Sequence, residues 1–215
     1  TSSPAPADLR SALAVLADAE ATAADAAQAS GAAVADATLA LLWGALLSTA
    51  RSIQAALLVS PDGDRPGPPP IPGTGVPTRV MVGTRPAALQ VLLSHLDPLI
   101  YALQVVVARA PGDNTLTDRL LRLQLDREAT AQAVRAEGLA PSAPAVDYQL
   151  PGDLHDSAQV PGMLGHLEGN LQAAWARVAA ASSGAHRITA WQAMTACAAG
   201  MRVGGVAQPY WPGWV

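Results

Sequence analysis

The stretch Pro86–Arg109, PAALQVLLSHLDPLIYALQVVVAR, decides the fold. Leu89, Leu92/Leu93, Leu96, Leu99/Ile100, Leu103 and Val106/Val107 recur at three- and four-residue spacing, which makes one side of an α-helix apolar along its length. Gln90, Ser94, Asp97, Tyr101 and Gln104 form a separate polar strip. Pro86 suits a first helical turn. Pro98 lies inside the pattern and predicts a kink near Ser94.

The same period continues downstream. Asp113 or Asn114 starts a helix to about Glu137, stopped by Gly138, with Leu116, Leu120, Leu123, Arg127, Ala131 and Val134 on one stripe. A Pro/Ala connection from Leu139 to Pro151 carries Tyr148. Another helix is expected from about Asp153 to Ser182, with room for a bend at Pro161-Gly162. Its interior residues are Leu164, Leu167, Leu171, Ala174/Trp175 and Val178. A last helix runs from about Ala185 to Val203, followed by the aromatic tail Tyr210, Trp211 and Trp214 between prolines.

Upstream, Asp8 caps a helix to about Ser30 that Gly31 interrupts, and a second helix extends to about Val59; so short a junction makes the two an antiparallel hairpin. From Pro61 to Pro86 the chain holds eight prolines and five glycines, and no helix persists there because proline lacks the amide donor. No period-two alternation is long enough to define a strand. The expected organisation is a spacer at 1–7, a helical hairpin at 8–59, a Pro/Gly-rich loop at 60–85 and a helical bundle with its tail at 86–215. The fold class is all-α, an antiparallel four-helix bundle with an additional N-terminal hairpin.

Composition narrows the function. The net charge of −4 and pI near 5.4 speak against nucleic acid, because phosphate-backbone binding needs clustered positive charge. The densest basic stretch, Arg119, Arg122 and Arg127, is interleaved with Asp118, Asp126 and Glu128 and reads as a solvated helix face. The lone Cys197 excludes an internal disulfide and any cysteine-based zinc cluster, and its spacing from Met194 and Met201 makes it a core thiol. The most apolar run, Ala37 to Ala50, is too short to span a bilayer, so no transmembrane segment is expected.

Only four residues are Glu (Glu20, Glu128, Glu137 and Glu168), and none has His three positions later. A di-metal bundle needs a Glu from each of two helices and Glu-x-x-His from each of the other two. The remaining candidate ligands are His95, Asp97, Asp126, Glu128, His166 and Glu168. His95 with Asp97, and His166 with Glu168, are two apart, about 200° around a helix, so neither pair converges on one ion. Arg127 lies on its helix's apolar stripe and Glu168 borders the stripe of the next long helix. Two readings stand for them: a partly buried pair fixing helix register, or two side chains reaching out to water.

From about Leu89 to Trp214 the chain resembles an actinobacterial ferritin-like domain family of uncharacterised function. The resemblance rests on motifs in order: Leu99-Ile100-Tyr101-Ala102, Thr117-Asp118-Arg119 to Asp126-Arg127-Glu128, the Gly138 stop, and Tyr148-Gln149-Leu150-Pro151. Leu167-Glu168, Arg187 and Tyr210-Trp211-Pro212-Gly213 complete the series. The resemblance implies a ferritin-like bundle. Family members carry Glu-His on the first domain helix, a few residues before the Tyr; here Leu96-Asp97 stand there, and Leu cannot bind metal.

The expected function is therefore a ferritin-like scaffold or interaction protein without a complete di-metal ligand set and without a cofactor. The alternative is a metal- or small-ligand-binding bundle of oxidoreductase type using His95, Asp97, Glu128, His166 and Glu168. The spacer-like N-terminus and the resemblance favour an extracytoplasmic protein, membrane-anchored through a removed lipoprotein signal; a cytoplasmic location is the alternative. Trp43 and the apolar face from Leu39 to Leu47 are expected to pack on the main bundle or on a second copy in a homodimer.

Overall fold

The computed structural model describes residues 8–59, 83–110, 112–209 and 211–212. Among them are six helices and no strand: α1 (Leu9–Ala32), α2 (Ala37–Val59), α3 (Arg85–Arg109), α4 (Asn114–Ala136), α5 (Val160–Ala180) and α6 (Gly184–Val203). Local chemistry explains most of the boundaries. The Asp8 carboxylate accepts the Ser11 N–H at 2.7 Å, and that of Asp113 accepts the Leu116 N–H at 3.1 Å, each satisfying an otherwise orphaned first-turn amide. Pro86 sits in the first turn of α3. Gly138, at φ 77°, takes the left-handed conformation that ends α4.

Two expectations need correction. First, α5 begins at Val160, not near Asp153, because residues 153–159 form turns: Asp153 accepts the His155 N–H and Asp156 accepts the Ala158 N–H. Pro161 then opens the helix instead of bending it. Second, α1 continues through Gly31 to Ala32. Gly31 serves a close approach: a Cβ there would stand 2.6 Å from Trp191 Cη2 and from Trp43 Cβ. Helix α3 continues past Pro98 to Arg109, and Ser94 Oγ donates to the Val91 carbonyl at 2.7 Å.

Helices α3–α6 form a bundle, and α1–α2 form a hairpin docked on it. Within the bundle, α3 packs on α4 and α5, and α5 packs on α6; α2 joins the hairpin to α5 and α6. The core is continuous across both parts. Leu92, Leu93, Leu96, Leu99 and Leu103 of α3 are buried with Leu123 of α4, Leu171 of α5, Trp191, Met194 and Cys197 of α6, and Leu41 of α2. Each such side chain contributes about 1.5–3 kcal/mol through burial, so this cluster dominates the stability.

On α2, Leu41, Ala45 and Leu47 face inward, Trp43 is half-buried, and Leu39 and Leu46 face solvent. Ala37–Leu58 and Arg85–Arg109 are long and apolar enough to cross a membrane by length and composition, so the run at 37–50 understated the apolar reach of α2. In the tail, Pro212 is buried and Trp211 half-buried. Tyr210, Gly213 and Trp214, the spacer at 1–7 and the loop at 60–82 lie outside the described residues.

Candidate functional site

The chemistry-bearing residues inside the bundle resolve into two arginine–carboxylate pairs. Asp97 of α3 is 7% exposed and accepts a hydrogen bond from Arg127 Nε of α4. One layer away, Glu168 of α5 is 3% exposed and meets Arg119 of α4 in a fork: Nε donates to Oε1 at 2.8 Å and Nη2 to Oε2 at 2.6 Å. The expected Arg127–Glu168 pair is therefore replaced by Arg127–Asp97 and Arg119–Glu168. The solvated-face reading fails for Arg119 and Arg127, which turn inward, and holds for Arg122, whose side chain is 65% exposed.

The Glu168 site is built by its neighbours. A Cβ at Gly200 of α6 would lie 2.7 Å from the Glu168 carboxyl carbon, so only glycine leaves room for the carboxylate between α5 and α6. Arg119 Nη2 also lies 3.6 Å from Cys197 Sγ, tying α4 to α6. Burial works against the charge on Arg119, but the hydrogen bond and charge of Glu168 outweigh it and raise its pKa. Burial, followed by the Glu168 charge, pushes the Cys197 thiol well above its ordinary value. The geometry thus holds a persistent guanidinium, a carboxylate with both oxygens engaged, and an inert thiol.

Around Asp97 the polar strip of α3 is covered by the connection between α4 and α5. Gln90 Nε2 donates to the Ala140 carbonyl at 2.7 Å, and its Oε1 accepts the Ser142 N–H at 2.9 Å. Tyr148 stacks obliquely on Tyr101 with ring centroids 5.6 Å apart. Burial and the nearby Asp97 charge raise the Tyr148 pKa.

The other candidate ligands are dispersed. His95 is half-buried, and burial, then the charge of Arg177, lowers its pKa. His166 is exposed. Glu128, with its side chain 57% exposed, is bound to Arg135, and Asp126 lies 3.2 Å from Arg122. Burial raises the Asp126 pKa against the pull of Arg122 and Arg119. Among the described residues, no three of His, Cys, Asp and Glu come together to hold a metal ion. The inward carboxylates are instead spent on guanidinium groups, an arrangement that fixes the register of α3, α4 and α5.

Sequence reasoning missed the polar seam between hairpin and bundle. Arg187, 2% exposed, donates Nε to the Ala179 carbonyl at 3.1 Å and Nη1 to the carbonyls of Gly31 (3.0 Å) and Val34. At the far end of α6, Arg202 Nη1 donates to the Ser52 carbonyl at 2.6 Å. Between them Gln172 Nε2 donates to Ser48 Oγ at 2.9 Å and to the Met194 carbonyl at 3.2 Å. The only sequence signal was the placement of Arg187 and Arg202 in the terminal turns of α6.

Residues 88–214, more than half of the chain, match the family described as Domain of unknown function (DUF4439), and the chain belongs to that family. The matched stretch coincides with the extent of the resemblance drawn from the motifs and excludes the hairpin. No curated protein and no solved structure matches the chain.

Proposed function

We propose that this protein is a non-enzymatic ferritin-like scaffold whose interior arginines fill the volume where a metal-bearing relative would hold its ions. One observation carries the reading: both oxygens of Glu168 are engaged by Arg119, in the space that Gly200 leaves for the carboxylate. A metal would need those oxygens, and a guanidinium that stays charged beside it would repel the ion. Asp97 is held by Arg127 through one oxygen, Oδ1.

Elemental analysis after dialysis tests the proposal. The expected result is no stoichiometric iron, manganese or zinc, with unchanged melting in chelator. Stoichiometric metal that survives dialysis and is lost in His166→Ala or Glu168→Gln would overturn it.

The proposal extends to partners at the surface of the scaffold. Leu39 and Leu46 on the outer side of α2, 48% and 47% exposed, support self-association through that face. Light scattering that shows a stable monomer in both wild type and Leu46→Glu removes self-association from the proposal.

A further inference from the structure

The starts of α2, α3 and α6 and the ends of α1 and α5 surround an open cleft of about 1000 Å³. Its charged lining residues are Arg85 and Arg187, His186 lies beside them, and no lining residue is acidic. Arg187 is nearly sealed from solvent, yet all three hydrogen bonds from its Nε and Nη1 go to main-chain carbonyls. No carboxylate lies against its guanidinium among the described residues. A buried cation satisfied only by dipoles lacks the counter-charge that ordinarily offsets its desolvation.

Two further observations point the same way. Ser182 lines the cleft at 7% exposure, and its Oγ, itself covered in this conformation, has no hydrogen-bond partner. Ser183, the N-cap of α6, makes no side-chain capping bond, so the first-turn amides of this 20-residue helix lack that acceptor. A helix N-terminus with open amides, an unpartnered hydroxyl and a cation without a counter-charge together suit an anion.

We propose that this cleft binds an oxyanion of the phosphate class, seated at the start of α6 beside Ser182, Ser183 and Arg187. A tetrahedral oxyanion presents acceptors in several directions, which fits donors arriving from a helix end, a hydroxyl and a guanidinium better than a planar carboxylate does. The remaining wall is apolar, with Ala33, Ala35 and Ala181 among its residues, and accommodates the organic part of a phosphate monoester. Free phosphate and a phosphate headgroup share this chemistry.

Isothermal titration of the full chain with sodium phosphate and with butyl phosphate, at one ionic strength, tests the site. Saturable binding in the millimolar range or tighter is expected. Equal affinities assign free oxyanion, while tighter butyl phosphate assigns a monoester. Ala35→Asp, at an exposed wall position, adds a like charge and should weaken binding about tenfold without altering the circular dichroism. Glu137→Gln frees Arg85 from its ion pair and should tighten binding several-fold. No saturable heat with either probe, or an affinity unmoved by Ala35→Asp, overturns the proposal.

Discussion

Gly44 of the hairpin lies so close to the indole of Trp191 that a Cβ at position 44 would collide with its Nε1 and meet its Cδ1 at 2.8 Å. Trp191 is fully buried, so the ring has nowhere to retreat. Gly44→Ala gains about 1 kcal/mol of helix propensity but forces the hairpin off the bundle. The expected net loss is about 1–3 kcal/mol in urea unfolding. Gly162→Ala, where nothing lies within 4 Å of the new Cβ, should be neutral or stabilising and serves as the control.

Arg119→Met leaves the Glu168 carboxylate buried and unpaired, and should cost about 3–5 kcal/mol. Adding Glu168→Leu should recover most of that loss, because two apolar residues need no counter-charge. A double-mutant cycle by denaturant unfolding measures the coupling; additive losses would show that the fork contributes nothing as a pair.

His95 gives the fold a dependence on pH. Burial, then Arg177, lowers its folded pKa below the ordinary imidazole value, so the unfolded chain binds the extra proton first. Its contribution is complete above the unfolded pKa and is lost as pH falls from there through the folded pKa. His95→Gln should flatten that limb of the stability curve, measured by chemical unfolding at a series of pH values.

The Cys197 thiol is fully buried and its pKa is raised, so at neutral pH it is protonated and sealed. Alkylation by iodoacetamide should follow global unfolding, with protection matching the equilibrium stability. Rapid labelling of the native protein would contradict the packing around Arg119 and Glu168.

Arg187→Met strands the Val34 carbonyl and takes the side-chain donor from the carbonyls of Gly31 and Ala179, at the ends of α1 and α5, which keep the N–H groups of Val34 and Ser182. An unsatisfied buried acceptor costs about 1–3 kcal/mol. Hydrogen exchange should rise first in the last turns of those two helices. Uniform exchange across all six helices would instead indicate a purely global effect.

The parts of this fold that were legible in sequence are those written locally. Asp8, Pro86, Asp113 and Gly138 act within a turn of themselves, so α1, α3 and α4 could be drawn within a few residues of their true limits. The start of α5 was misplaced because Asp153 and Asp156 resemble helix caps but accept bonds in successive turns instead. The ion pairs were half legible. Periodicity puts Arg127 on the inner stripe, but says nothing of the axial height at which α3 and α5 pass it. Arg119 lies eight residues earlier, about 12 Å along α4 and only some 80° around it, so spacing alone could not tell which arginine meets Glu168. Arg187 stood out as a motif residue, but its role was not legible because its partners are carbonyls, which every residue carries.

That last fact bears on how the two parts of the chain can change over generations. The ends of α6 grip the hairpin through the main chain at Gly31, Val34 and Ser52. Such contacts do not depend on side-chain identity. Substitutions along the outer faces of α1 and α2 can therefore accumulate without loosening the joint, whereas Gly31, Gly44, Arg187 and Trp191 cannot drift alone. The joint accepts a variable sequence at a fixed position, so the hairpin can diversify its surface while the bundle beneath it stays the same.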